Sequence, residues 1–381
     1  MLKKNTLLKL LYGLILASFT ILQLNGQVAP SDKNATKEAK WLFENMYRLM
    51  DKGYLVGHQD DLAYGVHWKY EKGRSDVKDV TGDYPGLYGW ELGNLELGRE
   101  KNLDDVPFDK MRSYIQGAYA KGGVVTISWH ANNPLTGKNA WDPAPGSVAA
   151  ILPGGEKHDL YKTYLNRVAA FMHSLKGKKG EPIPLLWRPF HEHTGGWFWW
   201  GVKSCSDDEY KKLFRFSADY LRNEKGLHQL LIGYNTGSEF TDEATFLRRY
   251  PGDAYVDFIS FDTYQHSKEN IDSTFINIVD SRLRVLCDIA GKRHKIPAVG
   301  EIGFNQIPYE HWFTRVLAPV FKKHRFSYVL FWRNAGYKPY SQETEFFLPY
   351  KNHSSAADFY EFFKKPETLF EEEVIKAKLY Q

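Results

Sequence analysis

Eight short segments recur along this chain, each apolar where it begins and polar or aromatic where it ends, with amphipathic stretches between. They are YLVGHQD (54–60), GLYGWELG (86–93), GVVTISWH (123–130), PLLWRPFHE (184–192), QLLIGYNT (229–236), DFISFDTY (257–264), AVGEIGF (298–304) and YVLFWRNA (328–335). Each is rich in β-branched or aromatic residues and apolar on both faces at its start, as a strand buried in a parallel sheet must be. Helical patterns occupy 109–122, 160–177, 206–226, 273–293 and 309–324. The third of these opens with Ser206 and Glu209 at capping-box spacing and stops at Gly226. Strands alternating with helices demand parallel crossovers. Eight of them in about 300 residues predict a single (β/α)8 TIM barrel of the α/β class. A doubly wound open sheet is the alternative. It is disfavoured because VGHQDDLAYG follows the first strand, where a glycine-rich phosphate turn would stand.

A barrel of this kind does its chemistry at the C-terminal ends of its strands. Those ends carry His58 and Asp60, Trp90 and Glu91, Trp129 and His130, His191 and Glu192, Asn235, Asp262 and Tyr264, Glu301, and Trp332 and Arg333. Two glutamates lie in unusually apolar surroundings: Glu192 after LLWRPFH on strand four and Glu301 in PAVGEIGF on strand seven. One barrel mouth can bring such a pair face to face, and a glycosidase needs one carboxylic acid and one carboxylate flanking the scissile bond. His191 and the aromatic run 197–200 are placed to desolvate Glu192 and raise its pKa, which suits a general acid that later acts as base. Gly300 and Gly303 leave room for a substrate beside Glu301. Arg188 and Arg333 are placed to hold Glu301 ionised and Tyr264 to hydrogen-bond it, which suits a nucleophile. A buried salt bridge between either glutamate and Arg188 or Arg333 is the purely structural alternative.

RPFHE followed by GGWFWWG, then SFDTY, VGEIGF and FWRNA, resembles glycoside hydrolase family 26, whose members are mostly β-1,4-mannanases of a retaining (β/α)8 clan. The resemblance runs from GHQDD at 57 to FWRNA at 335, with five motifs in order. It implies Glu192 as acid/base and Glu301 as nucleophile. His191 stands where most of the clan has asparagine, as in family 26. His130 in SWHANNP looks like the family's histidine beside the sugar on the non-reducing side of the cleaved bond. Trp197 resembles the tryptophan near the leaving-group side. Asp262 and Tyr264 match a D-x-Y lining the reacting sugar's site, and Trp332 resembles the sugar platform ending strand eight. The implied activity is retaining cleavage of β-1,4-mannosidic linkages in mannan, galactomannan or glucomannan. The long third loop (131–159) suggests a walled cleft and short products such as a disaccharide. A related retaining enzyme on xylan or mixed-linkage β-glucan, and a non-catalytic sugar-binding barrel, are the other readings.

Aromatic residues make up 15% of the chain, which suits either stacking on sugar rings or additional core packing. Residues 1–26 open with Lys3 and Lys4, then run apolar from Leu10 to Leu24, the pattern of a secretory signal cleaved near Gly26–Gln27. Residues 27–381 are then the catalytic domain of an exported protein, periplasmic or secreted. Losing the signal leaves 47 basic against 46 acidic residues, a balance that suits an uncharged polysaccharide and offers nucleic acid nothing. A monomer without membrane attachment or cofactor is expected. Cys205 and Cys287 are compatible with a disulfide or with two thiols. His191-Glu192-His193 is no metal motif, because neighbours in an extended segment point apart, unlike the ligands of a helical H-E-x-x-H. No G-x-S-x-G elbow occurs.

Overall fold

The computed structural model describes residues 28–339 and 341–381, so the expected signal segment lies outside the described residues. Eight parallel strands close into a barrel: β1 (Tyr54–Gln59), β2 (Leu87–Glu91), β3 (Val124–Trp129), β4 (Leu185–Pro189), β5 (Leu230–Thr236), β6 (Phe258–Tyr264), β7 (Ile296–Gly303) and β8 (Tyr328–Phe331). Closure is made by β8 on β1, with Leu55 opposite Tyr328 and His58 opposite Phe331. An open doubly wound sheet has no such pairing, so the alternative topology is excluded. Thr368–Leu369 adds a short parallel extension to the start of β1.

The crossover helices include Phe108–Lys121, His158–Ser174, Asp207–Asp219 and Ser273–Arg293, close to the sequence expectation. Ser206 and Glu209 form the expected capping box, and the helix widens into a π turn over Tyr220–Glu224 before Gly226 at φ 66°. Trp312–Leu317 is likewise π-helical before Ala318–Phe321. Shorter helices at Asp76–Thr81, Glu243–Leu247 and Ala356–Phe363 complete the crossovers and lacked a periodic stretch long enough to be read from sequence. Among the described residues no helix is long and apolar enough to cross a membrane. Cys205 and Cys287 are unbridged.

Strand alternation sorts the side chains. Leu55, Leu87, Val124, Leu186, Leu231, Phe258, Ile296, Tyr328 and Leu330 fill the lower lumen. Helix Lys37–Leu49 closes that end with Leu42, Phe43 and Met46. Val56, Trp90, Trp129, Trp187, Ile232 and Phe261 face the helices instead. Two strand-end residues singled out from sequence therefore leave the mouth: Trp90 stacks on Tyr114, and Trp129 donates to Glu96 at 3.0 Å. His58 behaves in the same way, pairing at 2.7 Å with Asp61, which also binds Ser75 at the start of helix Asp76–Thr81.

At the opposite end of the strands from the mouth, Asp257 accepts from the Ser31 and Ile232 amides, each at 2.6 Å, and from Arg222 Nη2 at 2.8 Å. Arg222 also donates to Leu230 O at 3.2 Å. Removing one partner of a buried ion pair costs about 3–5 kcal/mol because the other charge stays buried. Asp257→Ala is therefore expected to lower the urea midpoint by that equivalent while leaving catalytic constants of the folded fraction unchanged. A loss under about 1 kcal/mol would contradict the clamp.

Candidate active site

The mouth is organised around Arg188, which β4 points inward and which is fully buried. Its Nη2 donates to Glu301 Oε1 at 2.8 Å, and its Nη1 donates to Asn235 at 3.3 Å and lies 3.5 Å from Asp262 Oδ1. Burial opposes a charge on Arg188, but Glu301 and then Asp262 outweigh it and hold the guanidinium protonated. Tyr264 donates to Glu301 Oε2 at 2.7 Å, so both carboxylate oxygens are engaged. Asn235 donates to Asp262 Oδ2 at 2.7 Å and accepts from Ser260. Burial first, and Glu301 second, push the Asp262 carboxyl well above the usual range.

Glu301 reaches this position through a bulge in β7. Val299 pairs with Phe261 and Val329, but the next partners are Asp262 with Glu301 and Phe331 with Ile302, so β7 carries an extra residue against both neighbours. Regular alternation from outward-facing Val299 would turn Glu301 toward the helices; the bulge returns it to the lumen. Gly300 sits at the bulge, where a Cβ would lie 2.1 Å from Asn235 Oδ1 and 2.5 Å from Asp262 Oδ1. At Gly303 a Cβ would meet the Phe347 ring at 2.2 Å. These glycines make room for protein side chains, correcting the expectation that they admit substrate.

Strand β4 ends at Pro189, so Glu192 stands in the turn beyond, with Phe190 at φ 51° and Glu192 at φ 50°. Burial, reinforced by the Glu301 charge, raises the Glu192 carboxyl to about 7. Within the aromatic run, Trp197 contacts Glu192 through its Nε1–H at 2.8 Å, a bond that works to lower the pKa. Trp197 remains 41% exposed and keeps a free face. Phe198, Trp199 and Trp200 are buried and fix the loop: Trp199 donates to Ala131 O and Trp200 to His191 O, each at 2.8 Å.

His130 and His191 meet Nε2 to Nε2 at 3.0 Å. Glu91 holds His130 from behind at 2.8 Å, and Trp141 stacks on its ring at 4.9 Å. Trp332 makes a T-shaped contact with the same ring, the centroids 6.4 Å apart. Arg333 does not reach Glu301 as expected. It pairs with Asp104 and, at 3.4 Å, with Glu345, because it follows Trp332 in the chain and faces a buried carboxylate of the loop after β2. Arg333, Asp104, Tyr64 and Tyr337 line a recess together with Trp141, the ring that also stacks on His130. Glu91, Asn235, Asp104 and Trp141 are site members that no sequence motif assigned. Glu91 and Asn235 stood among the strand ends, but their partners lie on other strands. His191, Asp262 and Glu301 bring ligand-type atoms within 4.8 Å of one another, yet Arg188 already places a cation between the two carboxyl groups. His193 points away, packed between Tyr210 and Tyr234.

Since the Glu301 charge helps raise Glu192, Glu301→Gln is expected to move the Glu192 titration, followed by carboxyl carbon NMR, below about 7. Trp197→Phe is expected to move it upward. Shifts of the opposite sign would refute this account of the pair.

The sequence model described as Glycosyl hydrolase family 26 matches residues 31–317. A mannan endo-1,4-beta-mannosidase of Bifidobacterium adolescentis is 36% identical over 279 residues, covering 72% of this chain and 28% of that protein. One of Thermothelomyces thermophilus is 27% identical over 299 residues, covering 74% and 55%. The chain thus spans between about a quarter and about half of the length of these curated relatives. The solved GH26 beta-mannanase BoMan26A of Bacteroides ovatus superposes with TM-score 0.86 at 42% identity, covering 91% of this chain and 98% of that one.

Proposed function

This chain belongs to glycosyl hydrolase family 26, and we propose that it cleaves β-1,4-mannosidic linkages of mannans with retention of configuration. The observation that carries the reading is the division of labour between two carboxyl groups at one mouth. Glu301 is gripped on both oxygens by Arg188 and Tyr264, while Glu192 is raised to about 7 by burial and by Glu301 itself. In this reading Glu192 donates its proton to the glycosidic oxygen as Glu301 attacks the anomeric carbon. The resulting carboxylate of Glu192 then takes a proton from the water that releases the sugar. Proton loss from Glu192 above about pH 7 sets an alkaline limit on the first step.

His130, His191, Asp262, Tyr264 and Trp332 surround the sugar on the non-reducing side, and Trp197 offers its face to the leaving group. Trp141, carried by the long loop after β3, stands over His130 and shortens the non-reducing end of the cleft, which supports short products such as mannobiose. The lysine pair and apolar run of residues 1–26 support export before the enzyme meets its substrate.

Hydrolysis assays on mannan, xylan and mixed-linkage glucan test the substrate, and mannan is expected to be cleaved fastest by a wide margin. Early NMR of the products is expected to show the β-anomer, and an inverted product would sink the double displacement. Glu301→Ala is expected to lose turnover and to regain some with azide, as a glycosyl azide of inverted configuration. Glu192→Ala is expected to lose about 10²–10⁴-fold on mannan and far less on activated aryl glycosides. Equal losses on both substrates would remove the acid role.

A further inference from the structure

The histidine pair is backed by a group that this scheme leaves unused. Glu91 ends β2, completely buried, and its Oε1 accepts from the backbone N–H groups of Gly93 at 2.6 Å and His130 at 2.7 Å. Its Oε2 accepts from the Ser128 hydroxyl at 2.6 Å and faces His130 Nδ1 at 2.8 Å. A carboxylate only accepts, so His130 carries a proton on Nδ1. On the other side of the ring, His130 Nε2 and His191 Nε2 lie 3.0 Å apart, a spacing that requires one proton between them. His191 Nδ1 is buried and has no hydrogen-bond partner among the described residues. A ring nitrogen of His191 lies within 4.8 Å of carboxylate oxygens of Asp262 and Glu301, so the imidazole borders the place of the reacting sugar.

Two proton arrangements satisfy this geometry. With His130 an imidazolium, its Nε2–H donates to His191, whose own proton is then on Nδ1, a donor left without a partner among the described residues. With His130 neutral, His191 must donate from Nε2, and its Nδ1 carries a lone pair instead. We propose that Glu91 is a positioning residue for the hydrolysis: acting through His130, it sets the tautomer of the His191 imidazole that borders the sugar held at Glu301, so that His191 keeps a donor that is not spent on His130. The inference rests on the family 26 reading above. A sugar hydroxyl lying between His191 and Glu301 has one proton, which goes to acceptor-only Glu301, so it needs a donor from His191.

The charges around the pair favour the first arrangement. His130 faces Glu91 from β2, Glu301 from β7 and Asp104 from the loop after β2, with His191 against its edge and Trp141, Phe198 and Trp332 around it. Burial opposes a charge on His130, but these carboxyl groups, Glu91 foremost, outweigh it and raise its pKa. His191 faces His130, Arg188 and His193, and burial with those neighbours keeps it neutral.

Nitrogen-15 spectra of histidine-labelled mature chain, recorded against pH, test the relay without any turnover. Near neutral pH His130 is expected to be protonated on both nitrogens, and His191 on Nδ1 alone. Raising the pH then moves both residues in one joint titration, with the His191 proton passing to Nε2. In Glu91→Gln the amide NH2 faces His130 Nδ1, so His130 stays neutral with its proton on Nε2 and the joint titration disappears. In a Glu192→Gln background, kcat/KM on an activated aryl β-mannobioside is expected to fall about tenfold across the same titration. Adding Glu91→Gln is expected to abolish that fall. Neutral His130 with His191 protonated on Nε2 near neutral pH overturns the proposal, as does a Glu91→Gln chain in which both histidines titrate unchanged. If Glu91→Gln does not fold, the wild-type titration alone decides. The expected tautomers in a chain that cleaves no mannan would overturn the proposed activity and leave the relay standing.

Discussion

The buried guanidinium of Arg188 is the contact on which the mouth of this barrel depends. A charge taken out of water is costly unless it is paired and hydrogen-bonded, and Arg188 meets that requirement through Glu301, Asn235 and Asp262 on three other strands. The arrangement works only because neighbours make space and orient partners. Ser260 and Asp262 lock Asn235, and the bulge at Gly300 turns Glu301 inward where a side chain at 300 would collide with that same network. An arginine–lysine exchange at 188 would keep the charge and lose the planar fork that reaches three strands at once.

The lower barrel supports this charge by being dry. Below Arg188 the lumen is filled by aliphatic and aromatic side chains and closed by helix Lys37–Leu49, so the polar layer has no route to relax downward. Above it, the buried aromatics of the 198–200 stretch tie the turn after β4 to the loop after β3. The turn that carries Glu192 is thereby held to the end of the strand that carries His130. Packing of this kind converts a flexible loop into a surface with a fixed relation to the strand ends.

Much of this was legible in the sequence because a buried parallel strand leaves a plain signature. The eight strands, the capping box at Ser206 and helix Ser273–Arg293 follow from local pattern alone. The misplaced strand-end residues share one cause: which face a side chain occupies is set by register. His58, Trp90 and Trp129 sit at strand ends but on the outward face. Glu301 has the parity of outward-facing Val299 and points inward only because β7 bulges against both neighbours. Arg333 found Asp104, far away in sequence, instead of Glu301. Glu91 could be seen as a strand end, but its pairing with Ser128 and His130 exists only once β2 and β3 are in register.

The charges of the pocket explain why two of its acids resist ionisation. Arg188 is held protonated and His130 is pushed toward protonation, while Glu91 is drawn below the ordinary range, burial notwithstanding, by His130. Arg188 and the proton-favouring His130 site offset charge on Glu301 and Glu91 and leave little for a further carboxylate. A further negative charge on Glu192 or Asp262 would then stand unmatched in a desolvated space, and both carboxyl groups are raised. Such a pocket also suits an uncharged sugar, which brings no counter-ion of its own. The proton on Glu192 is thus a property of the whole charge set, with Arg188 and His130 spoken for by Glu301 and Glu91, and of no single neighbour.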